Sequence, residues 1–313
     1  MLVDSSTAAS RSSAAAPFAA CGLWLRPLGY ASGMHVNEAR SVLITGASSG
    51  IGRSAVERLG EAGWQVFAGV RDASGAQVDG LGVVVELDVT SEESIAGARE
   101  VVAERAGGRL DALVNNAGIP AAGAVETIPT RDFRDLIETN LIGQFAVTKA
   151  FLPFVRAARG RIVFIGSLGG RVAFPYASPY HASKFAIEGF AESLRAEMVP
   201  LDVDVSVIEP GTMETDIWSK ASNQLAQVRA ALTPEQAEVY GEALAGFDAR
   251  LGSADDSGED PEAVAETIEE ALTARNPDER YLVGRGAGTL SLLDSILPSA
   301  VIDRIKQRVT ASG

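Results

Sequence analysis

The chain has 313 residues, 46% of them hydrophobic and 22% charged, ordinary proportions for a globular protein of one large domain or two small ones. Its formal net charge of −14 speaks against nucleic acid or an anionic membrane surface as a partner. A single cysteine, Cys21, excludes an intramolecular disulfide, and no apolar run reaches the ~18 residues that a membrane span needs. The expectation is a cytoplasmic protein with no membrane span and no metal site.

The first forty residues are rich in Ala and Ser and carry no sustained periodicity. Asp4 and Arg11 interrupt the basic start and apolar core of a signal peptide, so residues 1–40 read as a disordered extension or as sequence upstream of a true start at Met34. From residue 41 short apolar runs recur: SVLIT (41–45), QVFAGV (65–70), VVVELDV (83–89), DALVN (111–115), RIVFIGS (161–167), DVSVIEP (204–210) and RYLVG (280–284). Near-continuous apolar runs suit parallel strands buried on both faces. Amphipathic helical patterns separate them, SEESIAGAREVVAERAG and TRDFRDLIETNLIGQFAVTKAFLPFVRAA among them. This alternation predicts one α/β domain over 41–313, a Rossmann-type doubly wound parallel sheet with helices on both faces. Residues 212–260 break the rhythm, with Met213, Trp218, Tyr240 and Phe247 among polar residues; a substrate lid is expected there.

Ligands of open α/β sheets bind outside the carboxyl ends of the strands, so the residues there carry the argument. After the first strand comes TGASSGIG, with Gly46, Gly50 and Gly52 leading into a helical pattern. Glycines let a pyrophosphate approach the backbone, and a helix N-terminus offers amide donors and positive dipole. The same stretch also fits the G-x-S-x-G elbow of serine hydrolases, with Ser48 as nucleophile. That reading needs an acid and then a histidine further on, whereas the two histidines are His35, before Ser48, and His181. The other predicted strand ends are equally polar: Asp88 and Val89, Asn115 to Gly118, Ser167, and Pro210, Gly211, Thr212 and Thr215.

In SPYHASK (178–184), Ser178 is expected as a helix N-cap with Pro179 at the first helical position. Tyr180 and Lys184, four apart, then project from one face. A free tyrosine, pKa ~10, is a weak base at neutral pH, and a nearby ammonium is expected to favour its phenolate. Such a phenol can take an alcohol's proton or give one to a carbonyl. His181, about 100° round the helix, reads as a neighbour.

Together these motifs resemble the short-chain dehydrogenase/reductase superfamily over roughly residues 41–285: TGxxxGIG (45–52), NNAG (115–118), Asn140 in ETNLIG, Ser167, YxxxK (180–184) and Pro-Gly followed by Thr215. The helix YHASKFAIEGFAESLRAE and the strand RYLVG look like the branch of hydroxysteroid and retinol dehydrogenases. The resemblance implies an oxidoreductase interconverting an alcohol and a ketone or aldehyde on an apolar substrate. Tyr180 would be the general acid/base, Ser167 would hold the substrate oxygen, Lys184 would also bind the nicotinamide ribose, and Asn140 would support a water-linked proton relay. It further implies cofactor contacts from Gly46, Ser48, Ser49, Gly50, Ile51, Gly52, Asp88, Val89, Asn116, Ala117 and Gly118, from Tyr180 and Lys184, and from Pro210, Gly211, Thr212 and Thr215. Relatives are commonly homo-dimers or homo-tetramers. The alternative is a cofactor-binding sensor that kept the site and lost turnover.

Cofactor choice turns on AGVRD at the end of the second strand. An acidic residue there bonds the adenine ribose 2′-OH, whereas an Arg accommodates a 2′-phosphate. Val70 occupies the place where NAD-preferring relatives carry Asp, and Arg71 follows. A strand ending at Val70 gives Arg71 the contact and predicts NADP(H), with NAD(H) possible; a one-residue slip would give it to Asp72. Ser49 adds a hydroxyl beside the same phosphate.

Overall fold

The computed structural model describes residues 39–75 and 80–284, with Val301 and Arg304 beyond them; the expected extension falls almost wholly outside these residues. Each of the seven apolar runs forms a strand: β1 Ser41–Thr45, β2 Gln65–Val70, β3 Val83–Glu86, β4 Ala112–Asn115, β5 Arg161–Ile165, β6 Asp204–Pro210 and β7 Arg280–Val283. They pair in parallel in the order β3-β2-β1-β4-β5-β6-β7. The helices are α1 Gly50–Glu61, α2 Glu92–Arg105, α3 Thr130–Ile137, α4 Gln144–Ala158, α5 Ser178–Met198, α6 Ile217–Ala230, α7 Pro234–Ser257 and α8 Glu262–Thr273. This is the expected doubly wound sheet.

Alternation along the strands divides the core in two, because successive side chains leave opposite faces. Leu43, Phe67, Leu113, Phe164 and Val207 point to the face covered by α2, α4 and α5. Val42, Ile44, Val114, Ile165 and Ile208 point to the face covered by α1 and α8. Strand order reverses between β1 and β4, which opens a crevice above their carboxyl ends.

Three of the strands stop short of the expected bounds, β7 by the single residue Gly284 and β3 and β5 by more. After β3 the Leu87 N–H still donates to Val70 O, but Asp88 then accepts from both the backbone and the hydroxyl of Thr90 and turns the chain. After β5, Gly166 N–H donates to Ile208 O, and Ser167 opens a short 3₁₀ turn over Leu168–Gly170. The long helical pattern of 130–158 is split by a π-helical turn, Glu138–Gly143. Residues 212–260, where the strand–helix rhythm breaks, form two packed helices, α6 and α7, with a small core of Leu225, Leu244, Phe247 and Leu251 against Ala122 and Ala124.

Candidate active site

The strand ends surround a cavity of about 580 Å³. At one end β1 delivers the glycine loop. Gly46 and Gly50 stand at φ +66° and +52°, a left-handed backbone that side chains rarely adopt. Ser49 is the N-cap of α1, yet its side chain caps nothing, so the first-turn amides of α1 keep their donors for a ligand at the loop. β4 clamps this loop. Thr45 Oγ1 accepts from the amides of Asn116 and Ala117, both at 3.0 Å, and Asn116 Nδ2 donates to Thr45 O and Gly46 O at 2.9 and 3.1 Å. Gly46, Ser48, Ser49, Gly50, Ile51, Asn116, Ala117 and Gly118 line the cavity. Gly52 lies beneath the loop, where a Cβ would stand 2.3 Å from Gly46 O; its role is close packing of helix against turn.

Beside the loop, β2 ends at Val70, so Arg71 follows directly and lines the cavity. Asp72 is turned to its own loop: its Oδ1 accepts from Ser74 N–H at 2.9 Å and from Ser74 Oγ, which holds the carboxylate below its usual range. Asp88 and Val89, just past the end of the neighbouring β3, also line the cavity. The bonds from Thr90 hold Asp88 below the usual carboxylate range, with a smaller contribution from Arg71. On the far side of the crevice Pro210, Gly211, Thr212 and Thr215 complete the lining, and Thr215 packs against Gly50.

The chemistry-bearing groups stand where β5 and α5 meet. The first helical bond of α5 runs from His181 N–H to Ala177 O, so Ala177 is the cap residue. Ser178, expected as the cap, is already inside the helix and Pro179 follows within the first turn. Tyr180 and Lys184 do share a face, with Lys184 Nζ 5.8 Å from the Tyr180 ring centre. The Ser167 hydroxyl lies close enough to the Tyr180 phenol to favour its phenolate, and Ser167 Oγ is itself fixed by Gly169 N–H at 3.0 Å. These two hydroxyls mark one point on the cavity wall where a carbonyl or alcohol oxygen can be held.

The electrostatics depart from the expected tuning. Burial pushes the Tyr180 phenol above its ordinary value, and the Ser167 hydrogen bond offsets only part of this. Lys184 is also buried, its ammonium donating to Ile165 O at 2.8 Å, and burial lowers it to about 8 against a smaller opposing pull from Glu188. At both groups desolvation outweighs the opposing contacts, so the phenol rests protonated.

Asn140 sits fully buried in the π-helical turn. Its Oδ1 accepts from Ile119 N–H at 2.8 Å, and its Nδ2 donates to Ile119 O and Ser183 Oγ at 2.9 and 3.1 Å. Ser183 Oγ donates on to Tyr180 O at 2.7 Å. Asn140 thus ties the loop after β4 to the first turn of α5. Ser183 was missed in the sequence; its signal was a hydroxyl three residues after Tyr180. His181 Nε2 accepts from Phe174 N–H at 3.0 Å, which places the ring proton on Nδ1, 2.9 Å from Gly169 O. Both nitrogens are engaged, so this histidine cannot serve Ser48 as a base, and the hydrolase reading fails; His35 lies outside the described residues.

Alongside Lys220 and Arg250, the apolar side chains of Phe174, Trp218, Phe247 and Leu251 line the remaining end of the cavity, and of these Phe174 and Leu251 were not singled out in the sequence. Trp218 Nε1 donates to Met213 O at 2.6 Å, which fixes the indole at the start of α6.

The family described as short chain dehydrogenase matches residues 40–226. The chain belongs to this family. Retinol dehydrogenase 16 of Mus musculus is 37% identical over 276 residues, 84% of this chain and 86% of its own length. 17-beta-hydroxysteroid dehydrogenase type 6 of Bos taurus is 38% identical over 282 residues, covering 85% and 87%. A short-chain dehydrogenase structure from Streptomyces avermitilis is 30% identical with a TM-score of 0.69, covering 89% of this chain and all of the other. This short-chain dehydrogenase is therefore a nicotinamide-dependent oxidoreductase of the retinol- and hydroxysteroid-dehydrogenase-like branch. Its glycine loop, with open amides at a helix N-terminus, suits a dinucleotide.

Proposed function

We propose that this chain is an NADP(H)-preferring dehydrogenase/reductase that interconverts an alcohol and a ketone or aldehyde on an apolar substrate. One observation carries the reading. A single cavity joins a glycine-loop cradle to an apolar end, and Ser167, Tyr180 and Lys184 stand between them. A bound nicotinamide supplies or accepts the hydride. The chain supplies the rest: Ser167 Oγ and Tyr180 Oη hold the substrate oxygen, and Tyr180 gives a proton to a carbonyl or takes one from an alcohol. Lys184 places a positive charge beside the phenol, which favours phenolate as the proton leaves.

The NADP(H) preference is supported by Arg71 on the cavity wall and by the engagement of Asp72 with Ser74. The apolar substrate is supported by Trp218, Phe247 and Leu251, with α6 and α7 as the proposed lid. No helix among the described residues is long and apolar enough to cross a membrane. A cytoplasmic homo-dimer or homo-tetramer completes the reading, and the exposed Ile142, Phe145 and Phe185 offer an apolar face for self-association.

The test is a panel of retinoids, steroids, aliphatic aldehydes and quinones, followed by NADPH absorbance. Turnover on an apolar carbonyl is expected, with kcat lowered at least ~10²-fold by Tyr180→Phe and NADPH affinity nearly unchanged. Near-normal turnover in that variant would overturn the assignment of the proton to Tyr180.

A further inference from the structure

Behind the Tyr180–Lys184 pair lies a second cluster of charge. Glu209 on β6 is completely buried, and its Oε1 accepts from Arg171 Nε at 2.7 Å, with Arg280 Nε at 3.9 Å. Glu188 on α5, one turn beyond Lys184, accepts from Arg280 Nε at 3.1 Å through Oε2. Arg280 Nη2 also reaches the exposed end of Glu192 at 3.2 Å. This leaves two buried carboxylate oxygens, Glu188 Oε1 and Glu209 Oε2, with no hydrogen-bond partner. The two carboxyl groups flank Arg280 Nε, at 3.1 and 3.9 Å, and are close neighbours. Two ionised carboxylates cannot satisfy one another, whereas one proton between them satisfies both orphaned oxygens.

The cluster is wedged under the catalytic loop. Glu188 Oε1 lies 3.0 Å from where a Cβ on Gly166 would stand, and its Cγ 3.4 Å from the same position on Gly170, so Glu188 fills the space on either side of Ser167. Arg171, at the end of that loop, reaches Glu209 beside Pro210 and Gly211. Glu188 also acts on Lys184, whose ammonium its charge favours.

We propose that Glu188 and Glu209 share one proton and that this pair, as positioning residues, sets the charge on Lys184. The inference rests on the proposed role of Lys184 beside Tyr180. The groups facing the pair are Lys184 and Glu192 from α5, Arg171 from the loop after β5, and Arg280 from β7. Burial, together with the neighbouring Glu188, lifts Glu209 to about 7 against the hydrogen bond from Arg171, so the shared proton is released around neutral pH. As it leaves, the pair gains a second negative charge and holds the ammonium of Lys184 to higher pH. Loss of one proton behind the site thus strengthens the positive charge within it.

Two measurements test the pair. Difference infrared spectra of the cofactor-free protein should show a protonated-carboxyl stretch that titrates near neutrality and is absent from Glu209→Gln. Ionised carboxylates throughout that range would overturn the proposal. In kcat/KM profiles, Glu188→Gln removes a counter-charge and should move the basic limb down by ~1 pH unit. Glu209→Gln removes the charge that the pair gains near neutrality and should move the limb down as well, by less than Glu188→Gln. Variants that lose Tm and kcat while both limbs stay in place would show a purely structural cluster and overturn it too. If Glu209→Gln does not fold, the wild-type band and the Glu188→Gln profile decide on the same criteria. A titrating band in a chain without turnover would support the shared proton and overturn the oxidoreductase reading instead.

Discussion

Lys184→Met should change stability in a way that depends on pH. Burial lowers Lys184 from its ordinary 10.5 to about 8 in the folded chain. That gap corresponds to roughly 3 kcal/mol favouring the neutral amine, at ~1.4 kcal/mol per pH unit. Below about pH 8 the lysine is protonated in both folded and unfolded chains, and the folded state carries the whole cost. Between about 8 and 10.5 the unfolded chain still binds a proton that the folded chain has released, so stability rises with pH. Methionine carries no such cost at any pH. It forfeits the hydrogen bond to Ile165 O, leaving a buried carbonyl unpaired at ~1–3 kcal/mol throughout. Wild type should therefore gain roughly 2 kcal/mol on the variant between pH 7 and pH 9.5. At ~2–4 °C per kcal/mol, the difference in Tm between the two proteins moves by ~4–8 °C. Thermal unfolding of both proteins at the two pH values, without cofactor, measures it. A Tm difference that stays constant would show that Lys184 is not a buried, depressed ammonium.

The other predictions concern cofactor and substrate. Arg71→Ala should remove most of a ~10- to 100-fold preference for NADPH over NADH in kcat/KM while sparing NADH-linked turnover; a wild type that prefers NADH would return the ribose contact to Asp72. Gly52→Ala sets a Cβ 2.3 Å from Gly46 O and 2.5 Å from Asn116 Nδ2, and should cost ~1–3 kcal/mol together with a loss of dinucleotide affinity seen by titration calorimetry. Trp218→Ala should raise KM for bulky apolar substrates more than for small ones, and equal effects would make α6 scaffold alone.

The primary structure by itself determined the sheet, the order of its polar strand ends and the short-chain dehydrogenase resemblance. Strand burial on both faces forces apolar runs that any reader of the chain can mark, and glycines declare where backbone must turn or come close. It also put the end of β2 at Val70, because strand patterning is a property of neighbouring residues. What escaped it depends on distance in space. Ser178 lost the cap to Ala177 because the first bond of α5 closes one residue earlier. Asn140 binds Ile119 and Ser183 across three elements, a partnership no local pattern encodes. Tyr180 and Lys184 are legible as a pair, but the direction in which each titrates depends on how much water the packed fold removes. Glu188 and Glu209, twenty-one residues apart on a helix and a strand, look like ordinary surface carboxylates until the fold buries them against Arg171 and Arg280. Periodicity records which residues are buried; only packing decides which charges meet once they are there.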